Sequence, residues 1–359
     1  MLSVSWSVGG GPANITTIVD ETNTIAVRDA IQAALDSAAA AATVAQPATV
    51  TLSAGTFVVS ADGLAAADGI LRVGSNTTFE GADMALNATG PSTTIALADG
   101  TSHSVTGIVR TDSGETNPTL QSTANVTVRN LTIDGNNANI AAGIEVDGFY
   151  TGPKPGTETA TDTNITVDNV EIKNMSRYGF DPHEQTIGLS ISNSVARDNG
   201  RDGFAIDFCQ DVTLTNNHSY NNGQNGFNIV TSSSNVTMTG NISYNNAKAG
   251  IAVQTGNNEA RALTENVTIL GGQVYGNGGA GIAVRQADSV RIGVDAANIV
   301  NGVQINGNAG QGILIEGSSN VTVQGNTVAG NATDGTLSGG SDAEIRVKGY
   351  VCRPIGTGS

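Results

Sequence analysis

The stretch VTLTNNHSYNNGQNGF (residues 212–227) is followed by a related stretch, VTMTGNISYNNAKAGI (residues 236–251). In both, β-branched and other apolar residues alternate with polar ones in short runs, and each run ends at Asn or Gly. Alternation with a period of two is typical of β-strands, and Asn and Gly favour tight turns. The pattern therefore predicts a series of short strands separated by turns.

Similar phrases recur from about residue 125 onward, each with a glycine followed by an apolar residue. The glycines that mark the phrases are Gly143, Gly179, Gly203, Gly226, Gly250, Gly281 and Gly312, in steps of 36, 24, 23, 24, 31 and 31 residues. Stacked short strands with a basal period near 24 residues predict an all-β fold, a right-handed parallel β-helix. A β-propeller is the alternative, but each blade needs four strands and about 40 residues.

One helix is predicted before the repeats, at about residues 27–45, where Val27, Ile31 and Leu35 fall on one face and alanine is abundant. Its expected role is an N-terminal capping α-helix that covers the open end of the solenoid. We therefore predict a single β-helix module over residues 1–359. It has a cap helix at about 20–50, coils at about 51–330, and a terminal strand and tail at 331–359.

The formal net charge of -16 argues against a nucleic-acid partner, because binding phosphates requires clustered Lys and Arg. Any polyanion would need local basic residues or a bound cation. Cys209 and Cys352 do not make a disulfide framework. Neither a membrane-spanning apolar run nor a secretory signal peptide is visible, which leaves export by another route open. A capped solenoid needs no partner, so we expect a monomer.

Candidate functional residues concentrate in YGFDPHEQ (residues 178–185). In a β-helix, residues at the same offset from each glycine form a column, with neighbours roughly 4.8 Å apart. Four residues after the marks come Asp147, His183 and Asp207, so the sequence predicts that two aspartates flank His183. Asp181, two residues after its glycine, is expected on the same face, and Tyr178 comes one residue before that glycine.

An imidazole beside carboxylates is oriented, and its protonated form is stabilised, so its basicity rises. A nearby tyrosine hydroxyl can exchange a proton when hydrogen-bonding neighbours assist it. Such a pair on a polymer-sized surface suits abstraction of a proton α to a carboxylate. A histidine in a turn is, however, more often structural than catalytic, and the aspartates also have ordinary explanations as turn residues.

The segment YGFDPHEQ resembles a motif of a known family, the catalytic modules of the secreted, calcium-dependent mannuronan C5-epimerases. The resemblance extends from the helix near residue 27 to about residue 330, and YGFDPHE is its most specific motif. The other matching segments are GIVR (107–110), LTIDGNN (131–137), EVDGFY (145–150), DNGRDGFAIDF (198–208) and NGFNIVTS (225–232).

The resemblance implies conversion of β-D-mannuronate to α-L-guluronate within alginate, by proton exchange at C5 on opposite faces of the sugar. It implies His183 as the base and Tyr178 as the acid, with Asp181, Asp207 and Asp147 orienting them or contacting sugar. Calcium, a poly-mannuronate (alginate) partner and an extracellular location, reached by non-classical bacterial export, follow from the same resemblance. The further candidates for substrate binding are Arg110, Arg285, Glu184, Asn225 and Tyr150.

Three positions depart from the family pattern: Glu145 replaces a lysine, Gln224 an arginine and Asn225 a histidine. We therefore expect sparse positive charge along the groove. An alginate lyase is the alternative enzyme, because both reactions begin with removal of the C5 proton. A binding module without catalytic activity is a third interpretation, which predicts aromatic platforms in a chain that is only 4% aromatic.

Overall fold

The computed structural model describes residues 1–18, 20–65, 68–82, 91–113, 122–152, 161–183, 185–256, 262–332 and 344–348. Within these ranges the chain winds through successive coils of short strands. After the first two strands, the strands pair in parallel with their equivalents in neighbouring coils. The predicted all-β parallel β-helix is therefore confirmed. An α-helix precedes the first parallel strands.

The helices named within the described ranges are α1 (Thr24–Ala41) and a 3-10 helix (Asn137–Asn139). The strands are β1 (Ser3–Val8), β2 (Asn14–Thr17), β3 (Ala48–Leu52), β4 (Gly55–Val59), β5 (Leu71–Val73), β6 (Thr77–Glu80), β7 (Thr93–Leu97), β8 (Val109–Thr111), β9 (Ala124–Asp134), β10 (Phe149–Thr151), β11 (Thr163–Lys173), β12 (Phe180–Pro182), β13 (Thr186–Ser192), β14 (Val195–Arg197), β15 (Phe204–Asp207), β16 (Cys209–Thr215), β17 (His218–Tyr220), β18 (Phe227–Val230), β19 (Ser234–Thr239), β20 (Ile242–Tyr244), β21 (Ile251–Gln254), β22 (Thr264–Leu270), β23 (Gln273–Tyr275), β24 (Ile282–Arg285), β25 (Ala287–Ile292), β26 (Gln304–Asn306), β27 (Ile313–Glu316), β28 (Thr322–Val323), β29 (Thr327–Ala329) and β30 (Ile345–Lys348).

The strands form two sheets. One contains ten strands in the order β5, β8, β10, β12, β15, β18, β21, β24, β27 and β30. We call it the site sheet, because it includes the strand inside YGFDPHEQ. The other twenty strands form the second sheet. Within this sheet β1 is antiparallel to both β2 and β3, two pairings near the N-terminus that the repeat pattern does not predict.

Helix α1 begins after Asn23, whose side chain accepts a hydrogen bond from the Ala26 backbone N–H at 3.0 Å and so caps the first turn. Val27, Ile31 and Leu35 are completely buried, as their shared face predicts. The helix contacts β1, β3, β4 and β5, the first strands of the solenoid. It therefore covers apolar surface that a terminal coil would otherwise expose.

Aromatic rings line the interior under the site sheet. Phe180 stacks on Phe204 with 4.5 Å between ring centroids, and Phe204 stacks on Phe227 at 4.6 Å. All three side chains are fully buried. Offset aromatic stacks add to the hydrophobic gain of burial, so they stabilise the coils that carry the candidate site.

The Asn-Asn pairs at the turns contain asparagines with two different roles. Asn221 and Asn245, the first members, adopt positive φ angles of 56° and 54°. The second members, Asn222 and Asn246, are buried and stack through amide hydrogen bonds. This asparagine ladder runs through six coils with Nδ2 to Oδ1 distances of 2.8–3.0 Å. Its buried members are Asn199, Asn222, Asn246, Asn277 and Asn308, and it ends at the half-buried Asn331.

The repeat alignment is wrong at one mark. Phe149 pairs with Phe180, so the equivalent of Gly179 is Gly148, 31 residues earlier, and not Gly143. A Cβ on Gly148 would lie 2.4 Å from Ile172, and one on Gly179 would lie 2.6 Å from a backbone oxygen. Gly143 has open space around it and a φ of +82°, as in an ordinary turn. The marks are glycines because the next coil approaches too closely for a side chain.

We predict that Asn246→Ala destabilises the fold by at least about 2 kcal/mol. The change leaves the Asn222 backbone N–H without its buried acceptor, which costs roughly 1–3 kcal/mol, and it removes the side-chain hydrogen bonds to Asn222 and Asn277, each worth about 1 kcal/mol. Urea unfolding followed by circular dichroism measures the loss. The matched control is Asn245→Gly at the exposed corner, where glycine tolerates positive φ; equal losses in both variants would contradict the ladder's role.

Candidate active site

The candidate site lies across three neighbouring strands of the site sheet, β10, β12 and β15. Tyr178 precedes β12 by two residues and His183 follows it directly, so the two side chains come from opposite ends of one strand. Asp207 is the last residue of β15 in the next coil. The proposed acid and base thus belong to one layer of the solenoid, with support from the layers on either side.

His183 is held by both neighbouring coils. Its Nε2 atom lies 3.4 Å from Asp207 Oδ2, and its ring stacks on Tyr150 with centroids 5.5 Å apart. Its backbone N–H donates to Thr151 Oγ1 at 3.2 Å. A carboxylate at this distance stabilises the imidazolium form, and the stacked ring fixes the orientation. The predicted contact between His183 and Asp207 is present.

Two buried carboxyl groups, those of Asp147 and Asp181, share one arginine. Arg177 Nε lies 3.2 Å from Asp147 Oδ1, and Arg177 Nη2 lies 3.8 Å from Asp181 Oδ2. Burial raises the pKa of Asp147 to about 6 even though Arg177 opposes the shift. Burial, with the Asp147 carboxylate beside it, raises the pKa of Asp181 well above its usual range. The Asp147 carboxylate thus adds to the effect of burial and disfavours ionisation of Asp181.

Tyr178 is clasped by two guanidinium groups. The Cζ atoms of Arg177 and Arg201 lie 4.9 Å and 5.4 Å from its ring centroid, and Arg201 Nη1 donates to the phenol oxygen at 3.4 Å. Burial raises the pKa of Tyr178, and the hydrogen bond from Arg201 opposes that shift. The phenol is therefore protonated at neutral pH, while Arg201 is placed to stabilise the phenolate that forms if the proton leaves.

The predicted position of Asp147 is wrong. With Gly148 as the mark, Asp147 occupies the column of Tyr178, and its Oδ1 accepts from the Tyr178 backbone N–H at 3.3 Å. Residue Glu145 likewise leaves the column of Asp181, which instead pairs with Tyr150. His183 is thus flanked by Asp207 on one side only. The segment GIEVDGFY (143–150) contains two glycines that are each followed by an apolar residue, and the predicted alignment rests on the first of them, Gly143.

Arg110 and Asn225 do not present free polar groups to a ligand. Arg110 is 1% exposed; its Nη2 donates to the Gly152 carbonyl at 2.8 Å, and its guanidinium lies over the Tyr150 ring at 5.0 Å. Asn225 donates through Nδ2 to Asp202 Oδ1 at 2.9 Å and accepts from the Ala249 N–H. Both were predicted to bind substrate, but in this conformation they support their neighbours. Tyr150 is also buried, between Arg110 and His183.

A polar groove with a volume of about 710 Å³ extends from Tyr178 and Asp207 along the site sheet to Lys348. Arg285 lines it and lies 3.6 Å from Glu316, which pairs in register with Lys348. The lining residues come from seven successive coils, which spans roughly 29 Å at the spacing of paired strands. A site of this length suits a chain-like ligand. Glu184, the remaining candidate for substrate binding, lies outside the described residues.

The prediction from the sequence did not include two arginines of the site. Arg177 and Arg201 stand two residues before Gly179 and Gly203, and the same column continues with Gln224 and Lys248. Inspection of this offset in SRYGF and GRDGF would have found them. The expectation of sparse positive charge therefore needs correction near Tyr178.

The resemblance also implies calcium. Among the residues that the structure describes, no three His, Cys, Asp or Glu side chains are grouped as a metal site. Arg177, and not an open oxygen cage, occupies the space between Asp147 and Asp181. The carboxylates of the candidate site therefore do not fit a calcium site, and no step of the chemistry is assigned to a metal. Within the described part of the chain there is also no helix with the length and apolar character needed to cross a bilayer.

The fold and the site together define a parallel β-helix module with a tyrosine, a histidine and buried acids at one end of a polar groove. A family model described as "right handed beta helix region" matches residues 120–295 and 262–349. This match supplies the handedness that was predicted from the repeats.

Similar proteins place the module more narrowly. The A-module of mannuronan C-5 epimerase AlgE6 from Azotobacter vinelandii superposes with a TM-score of 0.77 and 39% identity, covering 90% of this chain and 76% of that one. Alginate lyase 7 from the same organism is 49% identical over 57% of this chain. Mannuronan C5-epimerase AlgE2 is 43% identical over 64% of this chain. The chain therefore belongs to the right-handed β-helix family of the mannuronan C5-epimerase A-modules. It spans about a fifth of the length of the two curated relatives, 22% and 21%.

We predict that Asp147 makes stability fall as pH rises from about 4 to above 6. Its folded pKa of about 6 exceeds the unfolded value of about 3.9, so the native state binds more protons in that window and loses stability as they leave. A difference of about two pKa units corresponds to a contribution of about 3 kcal/mol. Urea unfolding at several pH values should show a flatter slope for Asp147→Asn. The control is Asp62→Asn at an exposed position, and an unchanged slope for Asp147→Asn would contradict the assignment.

Proposed function

We propose that this module is a mannuronan C5-epimerase, which converts β-D-mannuronate residues of alginate to α-L-guluronate. The observation that carries the proposal is the arrangement around β12. A protonated phenol, Tyr178, and an imidazole paired with a carboxylate, His183 with Asp207, stand at the two ends of one strand. Tyr178 and Asp207 line the same groove.

His183 acts as the base in this proposal. It removes the C5 proton of a mannuronate ring, and the electron pair of the broken C5–H bond moves into the sugar carboxylate. Asp207 at 3.4 Å stabilises the imidazolium that results. The charge that develops on the sugar carboxylate needs a nearby cation, since electrostatic stabilisation of this kind is a large part of such catalysis.

Tyr178 acts as the acid from the opposite face of the ring. Burial raises its pKa, so it carries a proton to donate to C5, and Arg201 stabilises the phenolate that remains until solvent returns the proton. Protonation on the opposite face inverts C5 and completes the epimerisation, and His183 then releases the proton taken from C5 to solvent. Asp181 and Asp147 hold Arg177 against the Tyr178 ring, and we assign them a supporting role.

An alginate lyase is the second candidate, and one observation favours it: a relative that is 49% identical carries the name alginate lyase 7. The lyase reaction shares the first step. It differs when the C4–O bond breaks, which leaves a C4–C5 double bond and a new chain end. Tyr178 can serve either outcome, by protonating C5 or by protonating the leaving oxygen.

The substrate in this proposal is polymeric alginate, which a groove of seven coils suits better than a single sugar. Calcium dependence, an extracellular location and a monomeric state rest on the resemblance and on the architecture of a capped solenoid. Removing calcium with a chelator and measuring both melting temperature and activity would separate a structural requirement from a catalytic one.

We predict that incubation with poly-mannuronate in deuterated water yields guluronate with deuterium at C5. The reason is that the proton added to C5 comes from a group that exchanges with solvent. Proton and carbon NMR spectra of the product measure the guluronate fraction, and ultraviolet absorbance measures unsaturated ends. Absorbance without guluronate would replace the epimerase by the lyase, and the absence of both would refute the enzyme on this substrate.

We further predict that His183→Gln and Tyr178→Phe each lower kcat by at least about 100-fold, the usual range for loss of a general acid or base. The melting temperature should change little, because each variant keeps the bulk of the side chain. The matched control is Tyr244→Phe, which removes a hydroxyl from a stacked tyrosine on the second sheet. Activity within a few-fold of the parent in either site variant would remove that residue from the mechanism.

A further inference from the structure

The exposed carboxylate of Glu145 joins the two arginines that clasp Tyr178. Its Oε1 lies 2.8 Å from Arg201 Nη2, and its Oε2 lies 3.0 Å from Arg177 Nη1. Glu145 lies outside the strands, in the turn before β10, and its backbone N–H donates to Ser104 Oγ at 3.0 Å. One glutamate thus spans two guanidinium groups that belong to two successive coils.

The two arginines are positioned without Glu145. Arg177 forms ion pairs with the buried carboxyl groups of Asp147 and Asp181, and its guanidinium group lies over the Tyr178 ring. Arg201 stacks on the same ring and donates to the phenol oxygen. Among the described residues, Glu145 is the one carboxylate within ion-pair distance of Arg201. The guanidinium pair is therefore a preformed site for a carboxylate, and a side chain of the protein fills it.

We propose that Arg177 and Arg201 bind a carboxylate of the uronate polymer, and that Glu145 occupies this subsite in the free protein and competes with the ligand. This inference rests on the proposed function, since it names a subsite beside its acid, Tyr178. Glu145 then determines in part how tightly the ligand binds. The positive charge that the ligand meets comes from Arg177 and Arg201.

The exposure of the ion pairs makes the exchange feasible. The Glu145 side chain is 47% exposed and that of Arg201 is 38% exposed. Ion pairs with this exposure contribute little net stability, because water and salt screen them. A ligand carboxylate can therefore replace Glu145 without a large penalty, and the guanidinium fork accepts either carboxylate with the same geometry. The glutamate leaves by rotating its side chain into solvent.

The test measures binding of a defined mannuronate oligomer by isothermal titration calorimetry, with calcium concentration and ionic strength held constant. Glu145→Gln keeps the size of the side chain and removes the competing charge, so we expect binding roughly two- to five-fold tighter than that of the parent. The gain should fall as salt is raised. Glu265→Gln, an exposed residue on β22 of the second sheet, makes the same change in net charge and should leave affinity unchanged.

A double-mutant cycle assigns the gain to the arginines. Arg201→Gln should weaken binding by a similar factor, and Glu145→Gln in that background should give a smaller gain than in the parent. An uncharged β-1,4-mannan oligomer of the same length should show no gain at all. Equal gains for Glu145→Gln and Glu265→Gln would overturn the inference, as would a full gain in the Arg201→Gln background.

The binding measurement separates this inference from the proposed function. Tighter binding by Glu145→Gln, without epimerase or lyase activity in any variant, supports the subsite and refutes the proposed chemistry. Turnover by the parent, with no change in affinity for Glu145→Gln, refutes the competition and leaves the chemistry standing. Absence of any binding by the parent overturns both.

Discussion

Between Asn199 and Asn331, each coil is hydrogen-bonded to the next through an asparagine side chain. Its amide oxygen accepts from the backbone and side chain of the asparagine before it, and its amide nitrogen donates to the one after it. A primary amide carries a donor nitrogen and an acceptor oxygen, so one side chain satisfies buried polar groups of both kinds. These bonds fix the rotation of one coil relative to the next. The alignment of Tyr178, Asp202 and Asn225 in one column depends on that fixed rotation.

The site combines carboxylates that resist ionisation with arginines that remain charged. Arg177 is the point of contact between the two sets, since it touches buried acids on one side and Tyr178 on the other. The two arginines give a chain with a net charge of -16 a local positive surface for a polyanion. The relevant electrostatic field is the local one beside Tyr178, where the side chains of Arg201 and Arg177 are 38% and 25% exposed.

Much of the architecture could be predicted from the sequence, because a repeated coil repeats its requirements. Alternating apolar residues, close-approach glycines and turn asparagines recur because each coil meets a neighbouring coil of the same kind, so a spacing of about 24 residues can be recognised in the sequence. The prediction failed where two glycines with different causes look alike. Gly143 and Gly148 are both followed by an apolar residue, and only strand pairing distinguishes a turn glycine from a stacking glycine.

The candidate site was predictable in part for the same reason. The contact of His183 with Asp207 follows from equal offsets in adjacent regular coils. The burial of Arg110 does not, because it depends on how Tyr150 lies between Arg110 and His183. Side-chain direction in an irregular outer layer is set by three-dimensional packing, and sequence offsets do not report it.

The longer coils show how such a scaffold can change. The coil from Gly281 to Gly312 is 31 residues long, and its extra length includes the turn around Asp295, yet Asn277 and Asn308 keep their hydrogen bond at 2.8 Å. Insertions between ladder positions therefore leave the register intact. Duplication of a whole coil would extend the groove by one step of roughly 4.8 Å and leave the layer of Tyr178 and His183 unchanged. The number of coils thus sets the length of polymer that the groove can hold. This number can change in evolution without altering the layer that contains Tyr178 and His183.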